Sequence, residues 1–144
     1  MNASVKAYRL VKQFEGLRLT SYRCPAGVWT IGFGHTVGVV EGMSITRDAA
    51  DRLLDLDIRD SEKTIDKQKL ALSQNQYDAL VSFVYNVGAG NFVRSTLLRK
   101  IAANPSDGSI RAEFLRWVYV GKEVSLGLVR RRKAEVELYF STEP

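Results

Sequence analysis

The chain has one cysteine, Cys24, so no intrachain disulfide can form. It also has one histidine, His35, and a lone cysteine with a lone histidine makes no zinc site. No apolar run approaches the roughly 20 residues that a membrane-spanning helix needs. The opening MNASVKAYRLVKQFEG lacks the apolar core of a signal peptide. Disorder is excluded as well, because 45% of the 144 residues are hydrophobic and 26% are charged. A chain of this length forms one domain with a substantial core. The net charge of +5 favours polyanionic partners. Cell-wall polymers, nucleic acid and anionic membranes all qualify, so charge alone chooses none of them.

The stretch Glu15 to Thr30, EGLRLTSYRCPAGVWT, places a carboxylate, a thiol and a hydroxyl at fixed offsets. Upstream, Val5, Tyr8 and Val11 recur at helical spacing, and Glu15 continues their face. Gly16 follows where helices commonly close on a left-handed residue. Glu15 is therefore expected at the C-terminal end of a helix over residues 3–15, facing the core. Burial and the negative end of the helix dipole both favour the protonated acid there. A glycosidase asks this of its proton donor. Leu17 to Arg23 and Val28 to Gly34 read as two strands around a Pro25–Gly27 turn. On that hairpin Cys24 sits at the turn and Thr30 on the returning strand. Taken singly, a surface Glu, a small buried thiol and a strand Thr are each ordinary.

Further along, Thr46 is an N-cap candidate for a helix to about Lys67. The charges on that helix, Asp57 among them, read as a solvated surface rather than a metal site. Ser73 and Gln76 have capping-box spacing before a markedly apolar helix that Gly88 and Gly90 end. Ser95 caps a short helix closed by Asn104-Pro105, and Ile110, Phe114, Trp117 and Val118 mark another. Gly121 through Gly127 reads as loop, and Leu128 to Phe140 as the last helix. The run Arg130-Arg131-Arg132-Lys133 near its start reads as solvated surface or a weak phosphate contact.

Glu15, Cys24 and Thr30 match the Glu–x8–Asp/Cys–x5–Thr triad of the bacteriophage lysozymes, the endolysin family of glycoside hydrolases. Trp29–Thr36 (WTIGFGHT), Tyr77–Phe92, Ser95–Ile101 and Gly127–Tyr139 resemble further stretches of that family in the same order. The resemblance implies an α+β, mostly helical lysozyme-like fold. A small hairpin-bearing lobe (about 14–45), a long linking helix (about 46–68) and a helical lobe (about 69–144 with the N-terminal helix) are expected, with the active site between the lobes.

The implied activity is hydrolysis of the β-1,4 bond between N-acetylmuramic acid and N-acetylglucosamine in peptidoglycan, generally with inversion. Carried over by position, Glu15 protonates the leaving oxygen, while Cys24 and Thr30 hold the attacking water. Arg131 orients Glu15, and as a close cation it opposes the effect of burial. Phe92 and His35 are candidates for substrate contact, with core packing and a structural hydrogen bond as their alternatives. Cys24 stands where aspartate is commoner, which leaves its role as base or orienting group open. Two other readings are a lytic transglycosylase and a non-catalytic glycan-binding protein. A third, nucleic-acid binding through Arg130–Lys133, lacks the aromatic interleaving that strand stacking needs. The expected partner is thus the peptidoglycan glycan strand. No cofactor, metal, nucleic acid or stable membrane insertion is expected, and the protein is expected to be monomeric. It is also expected to wait in the host cytoplasm until another protein opens the inner membrane.

Overall fold

The computed structural model describes residues 1–144. Its elements are α1 (Val5–Glu15), β1 (Arg18–Arg23), β2 (Trp29–Gly32), α2 (Arg47–Asp66), α3 (Gln74–Val87), α4 (Ala89–Val93), α5 (Thr96–Ala103), α6 (Ile110–Phe114), β3 (Tyr119–Val120), β4 (Glu123–Val124) and α7 (Leu126–Phe140). The fold is α+β and mostly helical, as the sequence implied. No helix is long and apolar enough to cross a membrane.

Helix α3 is the centre. Its buried residues run almost without a break from Tyr77 to Val84, because α1, α2 and α7 all pack around it. A Ser73/Gln76 capping box starts it: the Gln76 amide donates to Ser73 Oγ at 3.1 Å and the Ser73 amide to Gln76 Oε1 at 2.9 Å. Phe83 is the aromatic hub, meeting Phe92, Phe114 and Trp117 edge-on with ring centroids 5.3–6.3 Å apart. Helix α2 buries Ala50, Leu54, Ile58 and Ile65, a stripe at helical spacing, after Thr46 caps it.

Helix α1 is pinned at its start to the same core. The Ser4 amide donates to Asp78 Oδ1 at 2.8 Å, and the Ser4 hydroxyl donates to the other oxygen of that buried carboxylate. With Ala7 and Val11 fully buried against the core, the far end of α1 has little freedom, and Glu15 is its last residue. The antiparallel hairpin β1–β2 follows, with Tyr22 opposite Thr30 and Arg23 opposite Trp29. Residues 43–45 pair along the outer edge of β1, through Ser21 N–H to Met43 O at 2.8 Å and Ile45 N–H to Leu19 O at 2.9 Å.

Two expectations need correction. The segment Gly121 to Gly127, taken as loop, holds β4, which pairs with β3 just before it in a second hairpin, and α7 begins at Leu126 instead of Leu128. Ser125 decides that start, since its hydroxyl accepts from Leu128 N–H at 3.2 Å. Gly88 ends α3 but also opens the short α4, so the glycine pair marks a corner between helices.

Candidate active site

Helix α1 stops on Glu15 because Gly16 adopts φ +69° with ψ 168°. The positive φ favours glycine, but the ψ is extended rather than the left-handed helical value expected from sequence. The turn directs the Glu15 side chain into a cleft of about 1100 Å³ between the hairpin and the face of α7. Tyr22, Cys24, Thr30, Gly34, Tyr85, Asn86 and Arg131 also line it. The Glu15 side chain is 19% exposed, and Arg131 Nη1 donates to its Oε2 at 2.5 Å.

Arg131 is itself held from three sides. Its Nη2 donates to the Ser82 carbonyl at 3.1 Å and its Nε to Glu135 Oε2 at 3.4 Å. Glu135 is fully buried and also accepts from Ser82 Oγ at 2.6 Å and Arg132 Nη1 at 2.7 Å. Burial pushes the Glu135 carboxyl above the ordinary carboxylate range, against the pull of Arg132, Arg131 and Ser82. Arg132, also fully buried, is brought down to about 10 by desolvation, with Glu135 opposing. The basic run is therefore not a surface patch. Two of its four cations are interior, and only Arg130 and Lys133 reach solvent, at the rim of the cleft.

Gly34 faces Glu15 across the cleft floor. It has φ +81°, and a Cβ built there would lie 2.4 Å from Glu15 Oε1. Tyr85 Oη fixes this loop by donating to the Phe33 carbonyl at 2.5 Å. Gly34→Ala is expected to lose about 1–2 kcal/mol through its positive φ. Displacing the carboxylate should also cost about 10²-fold in any reaction that Glu15 serves. Thermal melts and turnover of the same preparation check both effects.

On the hairpin, Cys24 occupies the turn, with its N–H bonded to Val28 O at 3.0 Å. Burial opposes ionisation of its thiol. The amides of Val28 and Ala26, the Thr30 hydroxyl and its own amide outweigh burial and hold the thiol below its ordinary value. Thr30 is almost fully buried, and its hydroxyl lies 2.9 Å from the Val28 carbonyl. That hydroxyl has one proton and two acceptors, so it serves the carbonyl or the sulfur at any moment.

Two candidates fall elsewhere. Phe92 has no exposed surface and packs edge-on against Phe83, so it cannot touch a sugar ring; its apolar neighbours on α3 outcompeted the cleft. His35 has both ring nitrogens engaged, Nδ1 with Asp57 Oδ2 at 2.7 Å and Nε2 with Val37 O at 2.9 Å. It ties the hairpin loop to α2 and leaves no nitrogen for substrate, which also gives Asp57 a partner that the sequence reading did not foresee. Glu135 was missed too, although its spacing of four from Arg131 and three from Arg132 is the helical ion-pair signal.

The phage lysozyme family profile matches residues 12–135. The chain belongs to the phage lysozyme family. Among curated relatives, the endolysin of Acyrthosiphon pisum secondary endosymbiont phage 1 is 42% identical over 146 residues, covering 98% of this chain and 99% of that one. The endolysin of Bacillus phage B103 is 39% identical over 99% of this chain, which spans only 56% of that longer protein. Among solved structures, the muramidase domain of SpmX from Asticaccaulis excentricus superposes with a TM-score of 0.87 at 33% identity, covering 97% of this chain and 98% of that one.

Proposed function

We propose that this protein is a muramidase of the endolysin type, hydrolysing the β-1,4 bond between N-acetylmuramic acid and N-acetylglucosamine in bacterial peptidoglycan. The observation that carries the reading is the Glu15 carboxyl, held through Oε2 by a buried arginine in a cleft that Cys24 and Thr30 also line. With Oε2 engaged, Oε1 is the oxygen available to deliver a proton to the glycosidic oxygen. As the bond from the anomeric carbon to that oxygen breaks, its electron pair takes up the proton from Glu15. A water held by Cys24 and Thr30 attacks the anomeric carbon from the opposite face and passes a proton to the thiolate. The product sugar has inverted configuration. Arg131 keeps the acid in register through its contacts with Ser82 and Glu135.

In this reading residues from about 14 to 45 form the smaller lobe, α2 links it to the helical lobe, and the glycan strand lies between them. The protein works as a monomer, without cofactor or nucleic acid. It reaches the wall once a second protein has opened the inner membrane. The decisive experiment is mass analysis of the fragments released from purified peptidoglycan. Reducing muramic acid ends, one water heavier than their anhydro counterparts, are expected. Anhydro ends would reassign the reaction to a transglycosylase, and wall binding without release would leave a glycan-binding protein.

The lowered thiol gives a pH test. If thiolate is the base, the rate rises as pH climbs through a value below that of an ordinary thiol. Cys24→Ser removes the ionisation and should lose about 10²-fold or more with a flat neutral profile. Cys24→Asp, ionised far lower, should keep its rate on the acid side where the natural protein falls away. A profile unchanged by both substitutions removes the thiol from the mechanism.

A further inference from the structure

We infer that Asn86 contacts the substrate and sets specificity, its side-chain NH₂ donating to the acetamido carbonyl of a sugar in the cleft. The inference rests on the muramidase reading and deepens it. Asn86 is the penultimate residue of α3, exposed, and lines the cleft together with Glu15 and Tyr85. Its Oδ1 accepts from Nη2 of Arg132, which lies behind it and is fully buried. A guanidinium has donors only. The carboxamide therefore has a single permitted orientation, with oxygen inward on Arg132 and NH₂ turned the other way, toward the cleft. The NH₂ makes no hydrogen bond within the chain.

Arg132 cannot swing aside to release this orientation. Its Nη1 is 2.7 Å from Glu135 Oε1, and its guanidinium stacks over Phe83 at 5.0 Å. Glu135 is the same carboxylate that steadies Arg131 behind Glu15. The acid and the Asn86 amide thus hang from one buried frame.

The chemistry of the ligand follows from the fixed polarity. Sugar hydroxyls donate and accept, so they meet a rotatable Ser or Thr as well as a locked amide. The acetamido carbonyl only accepts, and a donor that cannot reverse selects for it. Sugars lacking the acetyl group present an ammonium there and meet a donor facing a donor.

The test uses peptide-free glycan strands, N-acetylated and N-deacetylated, with the natural protein and two variants. Asn86→Asp keeps the shape and the acceptor for Arg132 but turns the cleft-facing donor into an acceptor. Asn86→Ala removes both. Each should raise KM for acetylated strands about tenfold with kcat within about twofold. Asn86→Ala should also lose about tenfold of the preference for acetylated over deacetylated strands. Melting temperature should hold in Asn86→Asp, so a KM rise there is not a folding effect.

An unchanged KM in Asn86→Asp overturns the inference, and so does an equal KM rise on both kinds of strand. If the natural protein releases nothing from either strand, the muramidase reading fails. The affinity of the same strands for the natural and Asn86→Ala proteins then decides Asn86 by the same factors.

Discussion

Glu15→Gln should reduce release of reducing ends from peptidoglycan by about 10⁴-fold, the upper end of what a positioned general acid supplies. The upper end applies because a sugar oxygen is a poor leaving group unless it takes a proton as the bond breaks. Glutamine keeps the length and leaves an oxygen for Arg131 Nη1, which now sits 2.5 Å from Glu15 Oε2. Fold and glycan affinity should survive, so the loss falls on kcat. Turnover on purified wall, with melting and binding measured on the same sample, separates these quantities. A variant retaining a tenth or more of the natural rate would take Glu15 out of the acid role.

Arg131→Met should destabilise the fold by about 3–5 kcal/mol, as breaking a buried charge pair from one side does. The substitution fills similar space but strips one cation from Glu135, removes the side-chain donor of the Ser82 carbonyl, and releases Glu15. Glu135 then faces burial with Arg132 as its one remaining cation. Its carboxyl already stands above the ordinary value in the folded protein, where burial outweighs the arginines. A group raised on folding binds its proton more tightly in the native state than in the unfolded chain. Its contribution is complete at low pH and is lost as pH rises from the unfolded value toward the folded one. The deficit of Arg131→Met should therefore widen on going from acid to neutral pH. Denaturant melts across that range check the slope, and a deficit that narrows toward neutrality would contradict it.

The sequence spoke clearly where the cause is local. Ser73 with Gln76, Thr46 and Ser95 each cap a helix as their spacing implied, because a cap is settled within four residues. The Glu15–Thr30 stretch was legible because a helix end and a hairpin turn fix three side chains over a short length of chain. Features built from distant partners were not legible. The run Arg130–Lys133 looks uniform in sequence, and its division into buried and exposed pairs depends on Ser82, Asn86 and Glu15, from 46 to 116 residues away. Phe92 sits in a segment that borders the cleft, yet its ring turned inward to Phe83. The β3–β4 hairpin escaped notice because strands of two residues carry no readable alternation.

The contact between Glu15 and Arg131 joins residues 116 apart in the chain. During synthesis the acid leaves the ribosome well before the helix that bears its arginine. A nascent chain, or one cut short before α7, lacks the group that sets the carboxyl's direction. The acid therefore gains its fixed direction only once α7 has been made and packed against α3.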